Sequence, residues 1–388
     1  MRGGDTTGLR AYNERLVVSA VQRLGAPSKA EIGRETGLSA QAAAVIVDRL
    51  VSDGYLRKLD KVRGQVGQPS TPIALDPGGA FSLGVKIGRR SVEAVLLNME
   101  GRVAASERRA YDAPLPEEAR GVALEQVRAL LDGLTATERS RLIGAGVAIP
   151  GDLHLWSEEL GLAPGALDGW RDADVAAEIH EATGVRAELY NDATAACAAE
   201  MIVGEGVMGR SALYVYIGSF IGGGVVLDGR LYRGALNNAA AIGSIPAGVA
   251  DGSGPPPQLI HRCSAIQLER ALEGAGLDAA KALSGDTCAA AQAVFDRWKG
   301  GALPYLAQAV VSAISVIDFE TVVLDGLLPP VWRRALCGDL AAAICGFNRA
   351  GLVTPHVVEG SVGPIARVLG AGLMPLAMRF SPTPELLR

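Results

Sequence analysis

The side chains best suited to recognition chemistry cluster near the N-terminus. Ser39, Gln41 and Ala42 stand at the start of a helical stretch. A glutamine amide there can bond two edge atoms of an adenine at once. Ala40 and Ala44 beside it offer no hydrogen-bonding side chain, so base preference rests mainly on Gln41. Arg57, Lys58, Lys61 and Arg63 follow, with Gln68 beyond them. Such cations reach phosphates or the minor groove. A second set of polar and glycine-rich residues lies further on: Asn191-Asp192, the run Gly218 to Gly224, and Asn237-Asn238. A carboxylate where a strand meets a helix can cap that helix, with Asp192 capping a helix that starts at Ala193. A glycine run between strands fits a tight hairpin, the structural reading favoured for Gly222–Gly224. Paired asparagines fit a turn.

The elements that must position the first set are legible. Leu16, Val17, Ala20, Val21 and Leu24 give 11–24 helical spacing, and Gly25-Ala26-Pro27 ends it. Ser28 with Glu31 opens a short helix over 29–35, which ends at Gly37. Ser39 caps a third helix with Ala43, Ile46, Val47 and Leu50 on one face, closed by Gly54. This is the helix-turn-helix order, in which the start of the second helix meets base edges. Residues 55–58 and 70–75 read as a hairpin whose basic connection is a wing. Residues 1–75 carry a net charge of +4 and the rest of the chain −9. A polyanion partner for the head alone fits that asymmetry. The alternative is a three-helix domain that binds protein. The basic wing directly after a capped helix pair favours double-stranded DNA.

The 388 residues suggest two or three domains. With 49% hydrophobic and 20% charged residues the chain is globular in composition. Aromatics are only 5%, which argues against a stacking platform for single-stranded nucleic acid. Cys197, Cys263, Cys288, Cys337 and Cys345 are scattered without a paired spacing, so neither zinc knuckle nor disulfide framework is expected. Reduced thiols, and no N-terminal apolar leader, fit a cytoplasmic protein. The uncharged runs 211–227 and 300–317 carry glycines, Pro304 and polar residues, and read as buried elements rather than membrane spans. No membrane partner is expected.

Asp76-Pro77-Gly78-Gly79 reads as a linker. Beyond it strands and helices alternate. FSLGVKIG and RSVEAVLLNMEGRV are strand-like around an Asn98–Gly101 turn, and a helix follows over 116–134. LIGAGVAIPG is a strand, 173–183 a helix, RAELYND a strand and 193–203 an alanine-rich helix. Strand-rich starts followed by helices, occurring twice, suggest two α/β lobes.

LGVKIGRRSVEAVLLNMEGRV, GAGVAIPGDL, APGALDGW, ELYNDATAACAAE, YVYIGSFIGGGVVLDGRLYRGALNNAAAIGSIPAG, VIDFETVVLDGLLPP and RVLGAGLMPL occur in order. In that order the chain resembles the ROK family (repressor, open reading frame, kinase), in its repressor branch. The resemblance covers nearly all of 12–378. It implies an α/β fold: a winged helix-turn-helix over 1–75 and, over 76–388, a two-lobed actin-like, sugar-kinase-like body. The second lobe runs over roughly 193–368, and a sugar binds in the cleft. It further implies a homodimer or homotetramer.

In the family's kinases the residue equivalent to Asp192 is the general base for the sugar hydroxyl, and its asparagine neighbour bonds the sugar. The resemblance therefore places Gly151, Asn191, Asp192, Asn237, Asn238 and Ser244 at a sugar or polyol effector. Other family positions depart. A Gly-Gly-Thr-Lys type loop becomes Gly88-Arg89-Arg90-Ser91, and Phe220 stands where a small residue faces phosphate. The family's Glu and His in the sugar site become Ala241 and Ser244. Its cysteine-rich zinc stretch leaves only Cys263, with His261 nearby. These departures lead to the expectation of a non-catalytic regulator with no metal and no cofactor, repressing carbohydrate uptake or catabolism genes. An ATP-dependent ROK sugar kinase is the alternative.

Overall fold

The computed structural model of the chain describes residues 6–61, 71–205, 208–248 and 254–382. Helices α1 (Thr6–Leu24), α2 (Lys29–Thr36) and α3 (Ala40–Ser52) form the head. They bury Val17, Ala20, Val21, Ile32, Ala43, Val47 and Leu50. Leu24, expected on that packed face, is instead 45% exposed, because the helix ends there. Ser28 Oγ accepts the Glu31 amide while the Glu31 carboxylate accepts the Ser28 amide. Gly37 takes the left-handed conformation that ends α2. β1 (Leu56–Lys58) pairs antiparallel with β2 (Ile73–Leu75). The connection between them, with Arg63 and Gln68, lies outside the described residues.

Two compact units divide the chain. One comprises Met1–Val147, His154–Leu189 and Ala371–Arg388, the other Ala148–Leu153 and Tyr190–Gly370. β3 (Phe81–Ile87), β4 (Ser91–Asn98), β5 (Val103–Ala110), β6 (Leu142–Ile149) and β7 (Ala187–Asn191) form a sheet in the order β5-β4-β3-β6-β7. Every residue of β3 is buried, Ser82 and Lys86 among them, as a central strand in a mostly apolar run requires. The β4–β5 turn is made by Asn98, whose Oδ1 accepts the amides of Glu100 and Arg102. α4 (Pro116–Asp132) opens with proline in its first turn and packs on β4. α5 (Ala136–Ser140) and α6 (Val175–Thr183) follow, the latter capped by Asp174.

The second unit opens with α7 (Asp192–Val203), β8 (Ala212–Ile217), β9 (Ile221–Leu227) and β10 (Arg230–Tyr232). After them come α8 (Ile260–Cys263), α9 (Ala265–Gly274), α10 (Ala279–Leu283) and α11 (Ala289–Ile314). β11 (Thr321–Gly326), α12 (Pro330–Cys345), β12 (His356–Glu359) and α13 (Ala366–Phe380) complete the chain order. The sheet runs β10-β9-β8-β11-β12, with β8, β11 and β12 parallel. The two uncharged runs are the β8–β9 hairpin and most of α11. Phe295 of α11 stacks on Trp332 of α12, ring centroids 4.6 Å apart. Among the described residues no helix is long and apolar enough to cross a membrane.

Gly222–Gly224 are not the hairpin turn that the sequence suggested. They lie inside β9, opposite Tyr216, Val215 and Tyr214. The turn itself is Gly218–Phe220. The glycines serve packing: a Cβ on Gly222 would stand 2.8 Å from the Ala193 Cβ, and one on Gly224 would overlap the Cys197 Cβ. Helix α7 thus lies against bare backbone. Gly224→Ala should therefore lower stability by about 1–3 kcal/mol through overpacking. Gly121→Ala, on α4 with open space around its Cα, should raise it by roughly 0.5–1 kcal/mol. Urea unfolding of both variants checks the contrast.

Candidate functional site

β9 is the mount for the polar residues of the second unit. On it rest α7, through Gly222 and Gly224, and the 240–243 segment. A Cβ on Gly223 would stand 3.0 Å from the Ala240 carbonyl oxygen, and one on Gly243 would stand 2.6 Å from that of Ile221. Asn191 ends β7 and opens α7. Its Oδ1 accepts the amides of Ala193 (3.0 Å) and Thr194 (3.2 Å). Asn191, and not Asp192, is therefore the helix cap. Asp192 is the first helical residue, where the partial positive charge of the helix start favours a carboxylate. The Asn191 Nδ2 lies 3.7 Å from where a Cβ of Gly151 would be, and Gly151 is exposed.

Asp192 meets a partner that sequence reasoning missed. Arg367, in the first turn of α13, donates from Nη1 to Asp192 Oδ2 at 3.1 Å. Both side chains are largely buried, 10% and 15% exposed. The guanidinium lies over the Tyr216 ring, 5.1 Å from its centroid. Burial pushes the Tyr216 phenol up to about 12, with Arg367 pulling it the other way. The signal available in the sequence was a cation at the head of the apolar run of α13, whose other cation, Arg379, stands at its end.

Two buried carboxylates fix the chain just before Arg367. Glu200 accepts the amides of Ser361 and Val362 and the Ser361 hydroxyl. Asp325 accepts the Tyr214 hydroxyl at 2.8 Å, the Gly363 amide and the Arg333 guanidinium at 3.2 Å. Burial raises the Asp325 carboxyl above the ordinary range, opposed by the bond from Tyr214. Arg333 also bonds Glu359.

The remaining effector candidates lie on the loop after β10. The Arg233 guanidinium sits 4.8 Å from the centroid of the Tyr190 ring, tying the start of this loop to the residue before Asn191. Asn237 takes a left-handed turn at φ 55, and Asn237, Asn238 and Ser244 are exposed. Ser244 ends a short 3-10 turn that begins at Ile242.

In the first unit, the loop at Gly88 is covered by Lys86. A Cβ on Gly88 would fall 2.7 Å from the Lys86 Nζ, and that ammonium bonds Glu93 at 3.0 Å and the Ser91 hydroxyl at 3.2 Å. In the second glycine loop, the carbonyls of Gly218 and Ser219 accept the amides of Ala265 and Ile266 at the start of α9. Those helix-start donors are thereby committed to the loop itself. Cys263 points into the core, its thiol donating to the Ala302 carbonyl, and burial pushes it up to about 12. Among the described residues no cluster of three or more His, Cys, Asp or Glu side chains is placed to hold a metal ion.

On the head, Gln41 is exposed, Ala42 is half-buried, and Ser39 Oγ accepts the Ala42 amide. Arg57 Nε donates to the Leu75 carbonyl across the β1–β2 pair. Lys58 and Lys29 share the Asp48 carboxylate, at 3.1 and 2.7 Å. Lys61 is exposed.

Comparison with known proteins places these features in context. The family model described as "ROK family" matches residues 82–331. The xylose repressor of Bacillus subtilis (strain 168) is 22% identical over 239 residues, covering 62% of this chain and 61% of that protein. The bifunctional enzyme NanE/NanK of Brucella melitensis biotype 1 is 29% identical over 351 residues, covering 86% of this chain and 60% of that enzyme. The chain thus spans less than two thirds of either relative's length. A crystal structure of a ROK family transcriptional regulator, homologous to the E. coli MLC protein, superposes with a TM-score of 0.68 at 18% identity. It covers 98% of this chain and 99% of that one, and so shares the fold: a mixed α/β, sugar-kinase-like body with an N-terminal head.

Removing one partner of a buried ion pair costs roughly 3–5 kcal/mol, and somewhat less where water still reaches the pair. Arg367→Met should therefore destabilise the protein measurably, and Asp192→Asn in the same chain should recover part of the loss. A double-mutant cycle by urea unfolding, with about 1 kcal/mol or more of coupling, is the expected outcome.

Proposed function

Because the chain belongs to the ROK family, we propose that it is a DNA-binding transcriptional regulator whose sugar-kinase-like body senses a sugar or related polyol without phosphorylating it. The observation that carries this reading is the Arg367 guanidinium on Asp192. A general base needs a lone pair aimed at the proton it takes. Here Asp192 Oδ2 already accepts a charge-assisted bond, about twice as strong as a neutral one, so the group is anchored to Arg367 and Oδ1 alone is left to meet a hydroxyl. Two further observations support it. The Lys86 ammonium covers Gly88, where the resemblance implies a phosphate loop, and the α9 amides are spent on the second loop. Phosphoryl transfer depends on such cradles for positioning and charge stabilisation.

The effector is held by Gly151, Asn191, Asp192, Asn237, Asn238 and Ser244. Its class fits the relatives named xylose repressors. A ligand of this kind shifts DNA affinity only through its differential affinity for two conformations. The head reads DNA through Ser39, Gln41 and Ala42, while Arg57, Lys58, Lys61 and Arg63 meet the phosphates and Gln68 belongs to the same DNA-binding wing. The protein acts in the cytoplasm as a homodimer or homotetramer that represses carbohydrate genes, one head per half-site. The kinase reading draws on Asp192 at the head of α7 and on the likeness to NanE/NanK.

A coupled assay with ATP and glucose, N-acetylglucosamine or mannose should show no phosphorylation. Turnover that disappears in Asp192→Ala would establish the kinase instead. On DNA, Lys61→Ala should weaken binding to all sequences and lower the salt slope by about one unit. Gln41→Ala should relax preference at one base pair, by roughly 1–3 kcal/mol. Gel shifts across a salt series, on operator and scrambled duplexes, check both.

A further inference from the structure

The stretch Asp76–Gly79, linker-like in composition, is a packed turn. The Gly79 amide bonds the Asp76 carbonyl, and the Asp76 amide bonds the Tyr55 carbonyl. A Cβ on Gly79 would stand 2.7 Å from the Met99 sulfur and 2.8 Å from the Gly54 carbonyl oxygen. The head is also gripped from two other directions within its own unit. Arg141, directly before β6, points Nη1 at the carbonyls of Asp53 and Gly54 (both 3.4 Å) and Gly79 (3.1 Å). The first two are the carbonyls just past the end of α3, where a cation is favoured. Gly54 has φ +78, and a Cβ there would fall 2.6 Å from Arg141 Nη2, so the guanidinium lies flat on this residue. From the other direction, Phe380 at the end of α13 meets the Tyr55 ring edge-on, centroids 5.3 Å apart. Arg15 of α1 reaches the Ser381 carbonyl at 3.4 Å.

Both grips stand on the first sheet. Arg141 is continuous with β6, and its carbonyl accepts the Phe81 amide of β3. α13 is anchored where Ser82 Oγ donates to the Gly372 carbonyl at 2.6 Å, and where a Cβ on Gly372 would stand 2.7 Å from a Leu97 methyl. A head tethered only by a flexible linker would need none of these contacts.

We propose that Arg141, Tyr55 and Phe380 are positioning residues for operator recognition: they fix the direction in which the head presents α3, and so set the half-site spacing that the assembled protein accepts. The proposal rests on the DNA-binding, oligomeric reading above. If the heads are fixed, two of them engage only half-sites at one spacing. When geometry forbids simultaneous engagement, the avidity of roughly 10²–10⁴ is lost. If the heads swing, the spacer hardly matters.

The test uses the full chain and the variant Arg141→Ala/Phe380→Ala. Amide exchange over 53–56 and 76–79 reports docking without DNA. It should quicken about tenfold or more in the variant, while the buried face of α3 stays protected. For recognition, the half-site is recovered by in vitro selection and duplicated with spacers stepped over one helical turn, about 10 bp. The wild type should lose about a hundredfold in affinity at the wrong phase. The variant should keep its affinity for a single half-site and lose most of that spacer discrimination. Phe380→Leu, which keeps apolar bulk without a ring edge, should broaden spacing to an intermediate degree and covers the case of a double variant that fails to fold. Unchanged spacer preference in a folded variant, or unchanged exchange, would overturn the proposal. A wild-type chain that recovers no DNA at all would instead refute the DNA-binding reading, with the exchange result still deciding whether the head is docked.

Discussion

No side chain fits between β9 and α7, and the second unit is arranged around that constraint. Gly222 and Gly224 let Ala193 and Cys197 approach the strand backbone. The face of α7 is correspondingly small, with alanines at 193, 195, 196, 198 and 199, all buried. The close approach fixes the start of α7, and with it Asn191 and Asp192. The same strand receives the 240–243 segment through Gly223 and Ile221. Glycine's entropic cost in a strand is here offset by packing that any larger residue would forbid.

The charges of this unit depend on one another in sequence. Glu200 and Asp325 hold residues 361–363 through backbone amides, and that segment leads into the turn that carries Arg367. Arg367 then meets Asp192 and the Tyr216 ring. Such buried groups are costly to desolvate, and Glu200 and Asp325 are each satisfied by several partners, as low-dielectric surroundings demand. Arg333, between Asp325 and Glu359, extends the same pattern. Asp192 is thereby part of an internal electrostatic framework.

The first unit follows a different logic. Its strand β3 is apolar except for Ser82, which bonds the Gly372 carbonyl, and Lys86, whose ammonium finds Glu93 and Ser91 on β4. The head adds its three-helix core to the same unit, and the contacts at Gly54, Tyr55 and Gly79 make the junction a packed surface.

Local rules made the head legible from the sequence. Ser28, Glu31, Gly37 and Ser39 act within a few residues of themselves, so caps and turns could be read directly. Helix α4 and the Asn98–Gly101 turn were legible on the same grounds, the β8 and β9 strands were legible without the place of their turn, and the ordered motifs pointed to the family. Other features needed the fold. The glycine run looks like a turn because composition cannot show that a helix lies on it. Asp192 looks like a cap because its neighbour Asn191 competes for the same amides, and the outcome is a matter of backbone geometry. Arg367 lies 175 residues from Asp192, and Phe380 is still further in sequence from Tyr55. Spacing alone carries no trace of either pair. The sequence determined most of the elements, the caps of the head and the family, because those depend on neighbours along the chain. The tertiary structure alone decided which charges meet and which glycines are obligatory, because those depend on segments that only folding brings together.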